Sequence, residues 1–363
     1  SKEELIKHYK EEFLDENKLR TLFDKLLDYM FINKPVHLDA TTSFLVQAAK
    51  DYLVDGKFKG RKLPRQLVTM AVGEKAGPGE EKFINAFLRK VSAGSEISLN
   101  GLKLPYGPLS IGGGDCEHGG IYYTLLKGLQ TVLHSYKLHK SDYGMTPVPF
   151  SVVTALKQLP DGSWEECNYC EYGIIVANSI TTMVGYNENK EQTLKKIIRD
   201  RYGRDWVSCD CYGYINKLGN VVVKGRKEDV VMLDNQVSYP LFMIDDVVQK
   251  DSKNILSCST VCVKTENGDI PVINVEFSPL RKKGMKEILL SLDMRCKKLL
   301  PSDVYNKIVI RVINNRDSFP LIGAGKRSIP ALQNMGLDNV LKIYSGVIAP
   351  YYEQNESKGQ YVK

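Results

Sequence analysis

The residues best suited to chemistry lie near the end of the chain, in Pro320-Leu-Ile-Gly-Ala-Gly-Lys-Arg-Ser-Ile-Pro-Ala-Leu. Lys326 is flanked by Gly323 and Gly325, so a permissive turn presents a compact positive charge suited to meeting an anion. Gly325-Lys326 superficially matches a Walker-type phosphate loop. That motif needs a glycine where Pro320 stands and a Ser or Thr where Arg327 stands, so the Walker reading fails. Taken alone, Lys326 reads as a solvated turn lysine. A second concentration of reactive types is the glycine-dense loop Leu109-Ser-Ile-Gly-Gly-Gly-Asp-Cys-Glu-His-Gly-Gly, which carries Asp115, Glu117 and His118. His118 is suited equally to touching a ligand or to a structural hydrogen bond. Cys167-Asn-Tyr-Cys170 and Cys209-Asp-Cys211 form the close cysteine pairs. One intervening residue in the second pair is fewer than zinc sites use, which favours reduced thiols partly buried in sheet.

Three segments follow one another at domain-scale spacing: Asp210-Cys-Tyr-Gly-Tyr-Ile-Asn-Lys-Leu-Gly-Asn, Gly225-Arg-Lys-Glu-Asp, and Gly325-Lys326. This series resembles the AMP-forming (adenylate-forming) ligase superfamily of acyl-CoA synthetases, luciferases and peptide-synthetase adenylation domains. The resemblance implies that Asp210 binds the ribose hydroxyls and that Arg226 contacts the ribose. It implies further that Asp229 serves the interdomain hinge and that Lys326 is catalytic. Glu171-Tyr-Gly-Ile-Ile-Val, Met183-Val-Gly-Tyr186 and Thr193 match further family segments in order. Asp142-Tyr-Gly-Met-Thr-Pro-Val-Pro sits where the family has a proline turn, and Leu67-Val-Thr-Met-Ala-Val-Gly-Glu resembles the strand entering its Gly-Gly-Glu turn. The likeness covers roughly residues 15 to 340.

Gly113-Gly-Asp-Cys-Glu117 takes the place of the family's Tyr-Gly-x-Thr-Glu nucleotide motif, in preference to Tyr143-Gly-Met-Thr, where Pro147 replaces the glutamate. By resemblance Gly114, Asp115 and Cys116 contact the nucleotide and Glu117 holds magnesium. The segment departs from the family at Gly113, in place of an adenine-stacking aromatic, and at Cys116, in place of a phosphate-bonding threonine. The family's Ser/Thr/Gly-rich phosphate loop ending in Pro-Lys-Gly does not occur in the sequence. Gly73-Glu-Lys-Ala-Gly-Pro-Gly is glycine-rich but has no hydroxyl residues.

The resemblance therefore implies ATP-dependent activation of a carboxylic acid to an acyl-adenylate, then a thioester with coenzyme A or a carrier protein. ATP or AMP and Mg2+ are the expected cofactors. The expectation is a carboxyl-terminal portion of a longer or split ligase, inactive without its amino-terminal half. The alternative is a ligase-like protein without catalysis that serves as a binding or interaction module.

These residues need elements to position them. Leu19, Leu22, Phe23, Leu26, Leu27 and Met30 recur at helical spacing within residues 3 to 31. A buried strand at Val36 to Leu38, a helix capped near Asp39, a strand at Leu67 to Val72 and a helix from Glu80 to Arg89 follow. This alternation predicts α/β layering. From Pro147 to Val223 the pattern changes to a β-meander, with hairpin signals at Pro160-Asp-Gly and Leu218-Gly-Asn. Beyond Gly225 an α+β pattern follows, with helices from Tyr239 and Gly284 and strands at 255–263, 270–277 and 307–312. The predicted fold is the remainder of an α/β large domain with a β-meander subdomain (1–224), a small mobile α+β domain (225–345) and a polar tail (346–363).

Composition sets the remaining limits. The chain has 363 residues, of which 43% are hydrophobic, ample for a large domain and a small one. No apolar run approaches the roughly 20 residues of a membrane span, and eight cysteines are too few for a disulfide framework, which points to the cytoplasm. Fifty basic against 43 acidic residues leave a net charge of +7. The basic clusters at Lys57–Arg65, Lys195–Arg204 and Arg281–Lys286 form no recognisable nucleic-acid module and read as solvated faces, so nucleic acid is not an expected partner.

Overall fold

The computed structural model describes residues 16–351 except 36, 65–66, 75, 92–95, 100–101, 106–108, 116, 124–143, 234–237, 267, 315–318, 323–324 and 345. The chain divides into two units, Ser1–Glu228 with Leu321–Arg327, and Asp229–Pro320 with Ser328–Lys363.

The first unit opens with α1 (Glu16–Asn33), β1 (His37–Thr41), α2 (Thr42–Leu53), β2 (Val68–Val72) and α3 (Pro78–Lys90). Phe23, Leu27, Met30 and Phe31 recur at helical spacing along α1 and are buried. Phe23 meets Phe44 of α2 edge-on at 5.0 Å, and Tyr52 of α2 meets Phe87 of α3 at 5.6 Å, so one aromatic layer joins the three helices. A short hairpin follows, β3 (Glu96–Leu99) and β4 (Leu102–Pro105), and then β5 (Leu109–Asp115), β6 (Gly119–Tyr123) and β7 (Thr146–Pro147). Strands β1, β2 and β5 run parallel, and the sheet order is β1-β2-β5-β6-β7.

Three sequence expectations change here. Strand β1 alternates exposed and half-buried residues because it is the sheet's edge, not a buried strand. The helix cap is Thr41, whose Oγ1 accepts from the Phe44 amide at 3.2 Å, while Asp39 pairs with His37 at 2.8 Å. The glycine segment is mostly the β5–β6 hairpin and not a loop. Consecutive glycines carry no apolar alternation, yet close packing selects them: a Cβ at Gly112 would fall 2.6 Å from Met70 Sδ.

The second sheet of this unit comprises β8 (Ser151–Gln158), β9 (Trp164–Glu166), β10 (Gly173–Ser179), β11 (Ile197–Arg199), β12 (Asp205–Ile215) and β13 (Val221–Arg226), with helix α4 (Lys190–Lys196) before β11. Every pairing is antiparallel; β10 lies between β8 and β12, while β11 and β13 both pair with β12. Trp206 packs with Leu156, Ile174 and Val176, with Trp164 beside them, so both tryptophans are packing groups.

The turn into β12 is organised by the buried carboxylate of Asp200. It accepts from the amides of Tyr202 (2.9 Å) and Arg204 (3.0 Å), from Arg204 Nε (2.7 Å) and from Trp206 Nε1 (3.1 Å). Burial pushes this carboxyl up, but the donors outweigh it and hold it down at about 2.

The second unit is an α+β layer: β14 (Val230–Met232), β15 (Ser238–Pro240), α5 (Leu241–Gln249), β16 (Ile255–Thr265), β17 (Gly268–Phe277), α6 (Met285–Leu299), α7 (Ser302–Lys307), β18 (Val309–Ile313), α8 (Ile329–Asn334), β19 (Val340–Tyr344) and β20 (Val347–Pro350). Its main sheet has the order β16-β17-β18-β19-β20, with β17 and β18 parallel across α6 and α7. Helix α5 starts after Pro240, later than the sequence predicts, because Ser238–Pro240 pairs with β14. Arg311 on β18 is 2% exposed. Its guanidinium donates to Asn274 Oδ1 (2.9 Å) and to the carbonyls of Leu332, Met335, Gly336 and Asp338 at and beyond the end of α8. The buried charge is thus solvated by oxygen dipoles. Among the described residues no helix is long and apolar enough to cross a membrane.

Asp200→Asn should lower stability at neutral pH, measured by chemical denaturation. The folded carboxyl lies below its unfolded value, so its stabilisation is complete above about pH 4 and lost as pH falls through about 2. The deficit of the variant should therefore shrink over that window; a deficit constant down to pH 2 would assign it to packing instead.

Candidate active site

The site begins with a break in the regularity of β12. Along β10, Ile175 pairs with Cys211 but Val176 pairs with Ser208, so Cys209 and Asp210 form a bulge. Asp210 takes φ of 51°, in the left-handed region. For a residue with a Cβ that conformation costs about 1–2 kcal/mol. Local bonds offset it: the Asp210 amide donates to Ser208 Oγ at 3.0 Å, and that hydroxyl donates to Asp210 Oδ1 at 3.0 Å. The Asp210 carbonyl accepts from the Lys227 amide at 2.9 Å, just past the end of β13. Arg226, exposed at that end, is the register partner of Cys211, so Asp210 and Arg226 lie on neighbouring strands.

Glu117, in the β5–β6 turn, comes to the same place through Lys196. The Lys196 ammonium lies 2.6 Å from Asp210 Oδ2 and 3.2 Å from Glu117 Oε1. The Tyr186 hydroxyl donates to the same Glu117 oxygen. The Lys196 and Glu117 side chains are 17% and 14% exposed, whereas Asp210 is 42% exposed. Burial alone would lower the Lys196 pKa, but the Asp210 and Glu117 carboxylates raise it above the ordinary lysine value. Burial likewise pushes the Glu117 carboxyl up, and the bonds from Tyr186 and Lys196 bring it below the ordinary value. The hydrogen bond to Glu117 raises the Tyr186 phenol. The result is one cation held between two anions.

The loop before α4 orients these groups. Asn189 caps α4 by accepting from the Gln192 amide at 3.1 Å. Thr193 Oγ1 accepts from the Tyr186 amide and donates to the Asn189 carbonyl, both at 2.9 Å. Met183 is a half-buried loop residue, and its amide donates to the Glu117 carbonyl at 2.6 Å. Thr181 Oγ1 donates to the carbonyl of the buried His118 at 2.5 Å. Residues 181–196 are thereby stitched to the β5–β6 turn.

The lysine turn, Leu321–Arg327, belongs to the first unit. The amides of Ile322 and Gly325 donate to the carbonyls of Lys326 and Ile322, both at 2.8 Å, and Leu321 bridges Arg327. Gly325 has φ of 68°, and a Cβ there would lie 3.1 Å from Phe23 Cζ. Gly73 has φ of 76°, and a Cβ there would lie 2.8 Å from Lys326 Cε, so the aliphatic stem of the lysine crosses Gly73. Thr41 Oγ1 donates to the Gly325 carbonyl at 3.0 Å. The Arg327 amide donates to Glu74 Oε1 at 2.5 Å, and its guanidinium pairs with Glu80. Glu74 also accepts from the amide and hydroxyl of Ser43 at the start of α2. Gly73 follows β2 and Glu117 follows β5, so both lie at the carboxyl edge of neighbouring parallel strands, where open α/β sheets bind ligands.

The other expected residues divide. Gly114 and Asp115 end β5, paired with Gly120 and Gly119. Cys116 lies outside the described residues, as do His134 and His139. Asp229 is the first residue of the second unit, and its carbonyl accepts from the Leu241 amide at 2.9 Å. The Glu117 oxygen expected to hold magnesium is engaged by the Lys196 ammonium and the Tyr186 hydroxyl. Among the described residues no three His, Cys, Asp or Glu side chains are grouped to hold a metal, the close cysteine pairs included.

Lys196 and Tyr186 are the site residues that sequence reasoning missed. The solvated-face reading suits Arg199, paired with exposed Asp205, and Lys195, paired with exposed Glu191. It is wrong for Lys196. The available signal was register: Lys196 lies one helical turn after Thr193 and shares its face. Gly73→Ala should displace Lys326 and strain the turn, costing about 1–3 kcal/mol of stability by thermal denaturation. Hydrogen exchange at the 325–327 amides should quicken with it; unchanged exchange would mean that Gly73 does not seat the lysine.

The sequence matches no family model and no curated protein. Solved structures do match. Amide bond synthetase McbA from Marinactinospora thermotolerans superposes with a TM-score of 0.60 at 15% identity, over 86% of this chain and 54% of that one. The anthranilate CoA ligase AuaEII, in complex with anthranoyl-AMP, gives 0.57 at 12% identity, over 86% and 52%. The o-succinylbenzoate CoA synthetase (MenE) from Bacillus subtilis, in complex with the acyl-adenylate intermediate OSB-AMP, gives 0.54 at 14% identity, over 86% and 53%. The chain spans about half the length of these structures. Across that span it has the fold of the AMP-forming adenylate ligases.

Proposed function

We propose that the protein carrying this chain activates a carboxylic acid with ATP, forming an acyl-adenylate and pyrophosphate. The observation that carries this reading is Asp210, held in a left-handed bulge beside Arg226, within a chain of adenylate-ligase fold. A carboxylate with free acceptor capacity is suited to two ribose hydroxyls, and an adjacent guanidinium adds donors to the same sugar. Gly114 and Asp115 contribute backbone to the nucleotide's side of the β5 edge, and Cys116 is the third residue of that nucleotide segment by resemblance.

The reaction is an in-line attack by a carboxylate oxygen on the α-phosphorus, with the bond to the pyrophosphate oxygen breaking. Two anions must approach, so positioned positive charge supplies most of the help. Lys326 serves that role, as a compact charge brought to the sheet edge by the Gly73 crossing. Magnesium enters with its substrate, as MgATP. The thiol of coenzyme A or a carrier protein then attacks the acyl carbonyl, forming a thioester as the acyl–phosphate bond breaks and AMP leaves, with Asp229 serving the hinge.

One observation favours a second reading, a ligase-like binding module without catalysis. Gly113 offers no aromatic face to adenine, which weakens nucleotide stacking. Carboxylate-dependent pyrophosphate exchange in the full-length protein decides between them. Lys326→Ala should reduce exchange at least about a hundredfold, the size expected for removing one positioned transition-state charge. Unchanged exchange would remove Lys326 from the mechanism; no exchange in the wild type with any carboxylate tried would favour the binding module.

A further inference from the structure

Lys196 has no assigned part in the reading above, yet its placement is fixed from several sides. It ends α4, and the face it shares with Thr193 is fixed by the hydrogen bonds of Thr193 to Tyr186 and Asn189. Its ammonium is the shared partner of Glu117 and Asp210, while Tyr186 closes the Glu117 side. Asp210 Oδ1 is engaged by Ser208, and Oδ2 is engaged by Lys196. Each oxygen still has lone-pair capacity for a further donor.

We propose that Lys196 is the positioning residue and resident cation of this site. Its ammonium takes the place between Glu117 and Asp210 that a protein-held divalent ion would take, and it keeps the Asp210 carboxylate aimed. Two carboxylates bridged by one ammonium carry a single net negative charge. Remove the ammonium and two close anions remain, which is the arrangement that recruits a divalent metal from solution. Glu117 therefore acts as the brace for Lys196 and not as a metal ligand. The claim about Asp210 rests on the nucleotide reading; the claim about the metal position does not.

Both parts are tested on full-length wild type, Lys196→Met and Lys196→Arg, with circular dichroism to establish folding. Lys196→Gln, uncharged but still a donor, replaces the Met variant if that one is unfolded. Mn2+ binding without nucleotide is read from the electron paramagnetic resonance of free Mn2+, and AMP binding by calorimetry with EDTA or with Mg2+. Wild type should bind AMP equally, within about twofold, in either buffer. Lys196→Met should bind AMP at least about tenfold more weakly and Mn2+ at least about tenfold more tightly than wild type, and Lys196→Arg should restore both. Mn2+ binding to wild type as tight as to Lys196→Met would overturn the metal replacement. AMP binding unchanged in Lys196→Met, or not restored by Lys196→Arg, would overturn the positioning role. If wild type binds no AMP in either buffer, the nucleotide reading fails, and the Mn2+ comparison still decides whether Lys196 fills the metal position.

Discussion

A left-handed residue in the middle of a β-strand has to be held there from several sides, and Asp210 is held from four. Ser208 bonds its amide and one carboxylate oxygen, Lys196 takes the other oxygen, and Lys227 bonds its carbonyl from the next strand. The conformational cost of about 1–2 kcal/mol is comparable to the gain from one or two such bonds, so the bulge is stable only as a set. Its consequence is directional. A regular strand would keep this carboxylate in the alternation of the sheet, whereas the bulge brings it to Lys196 and, through Lys196, to Glu117. Strain of this kind concentrates where a side chain has work to do.

The rest of the first unit can be understood as support for that arrangement. Trp206 and Asp200 fix one end of β12, and β13 fixes the other. The lysine turn is seated separately, by absent side chains as much as by bonds: Gly73 makes room for the Lys326 stem, and Gly325 makes room for Phe23. Charge pairs contribute unequally. The exposed pair of Arg199 with Asp205 is worth at most about 1 kcal/mol. The pairs of Lys196 with Glu117 and of Arg327 with Glu80 are largely shielded from water, so losing one partner leaves an uncompensated charge.

Much of this was legible in the sequence, for identifiable reasons. Apolar periodicity located α1, α2, β2 and the long strands of the second unit, because those elements bury one regular face. Asp210, Arg226 and Lys326 were singled out by the order and spacing of segments that resemble a known family; the structure sets Asp210 beside Arg226 and runs the Lys326 stem across Gly73. The β5–β6 hairpin was not, since glycines leave no pattern, and their role appears only when a Cβ is measured against Met70. Lys196 was hidden inside a basic run whose other members do face solvent. Its function depends on a three-residue register set by Thr193, and sequence composition is blind to register. The pattern that singled out the Glu117 carboxylate likewise says nothing of the ammonium beside it.

The central claim is that Asp210 receives the two hydroxyls of a ribose. Calorimetric titration with AMP and with 2′,3′-dideoxy-AMP, in the same buffer, tests it most directly. Wild type should bind AMP at least about tenfold more tightly than the dideoxy compound, since a site built to bond hydroxyls is left unpaired without them. Equal affinity for the two nucleotides would contradict it.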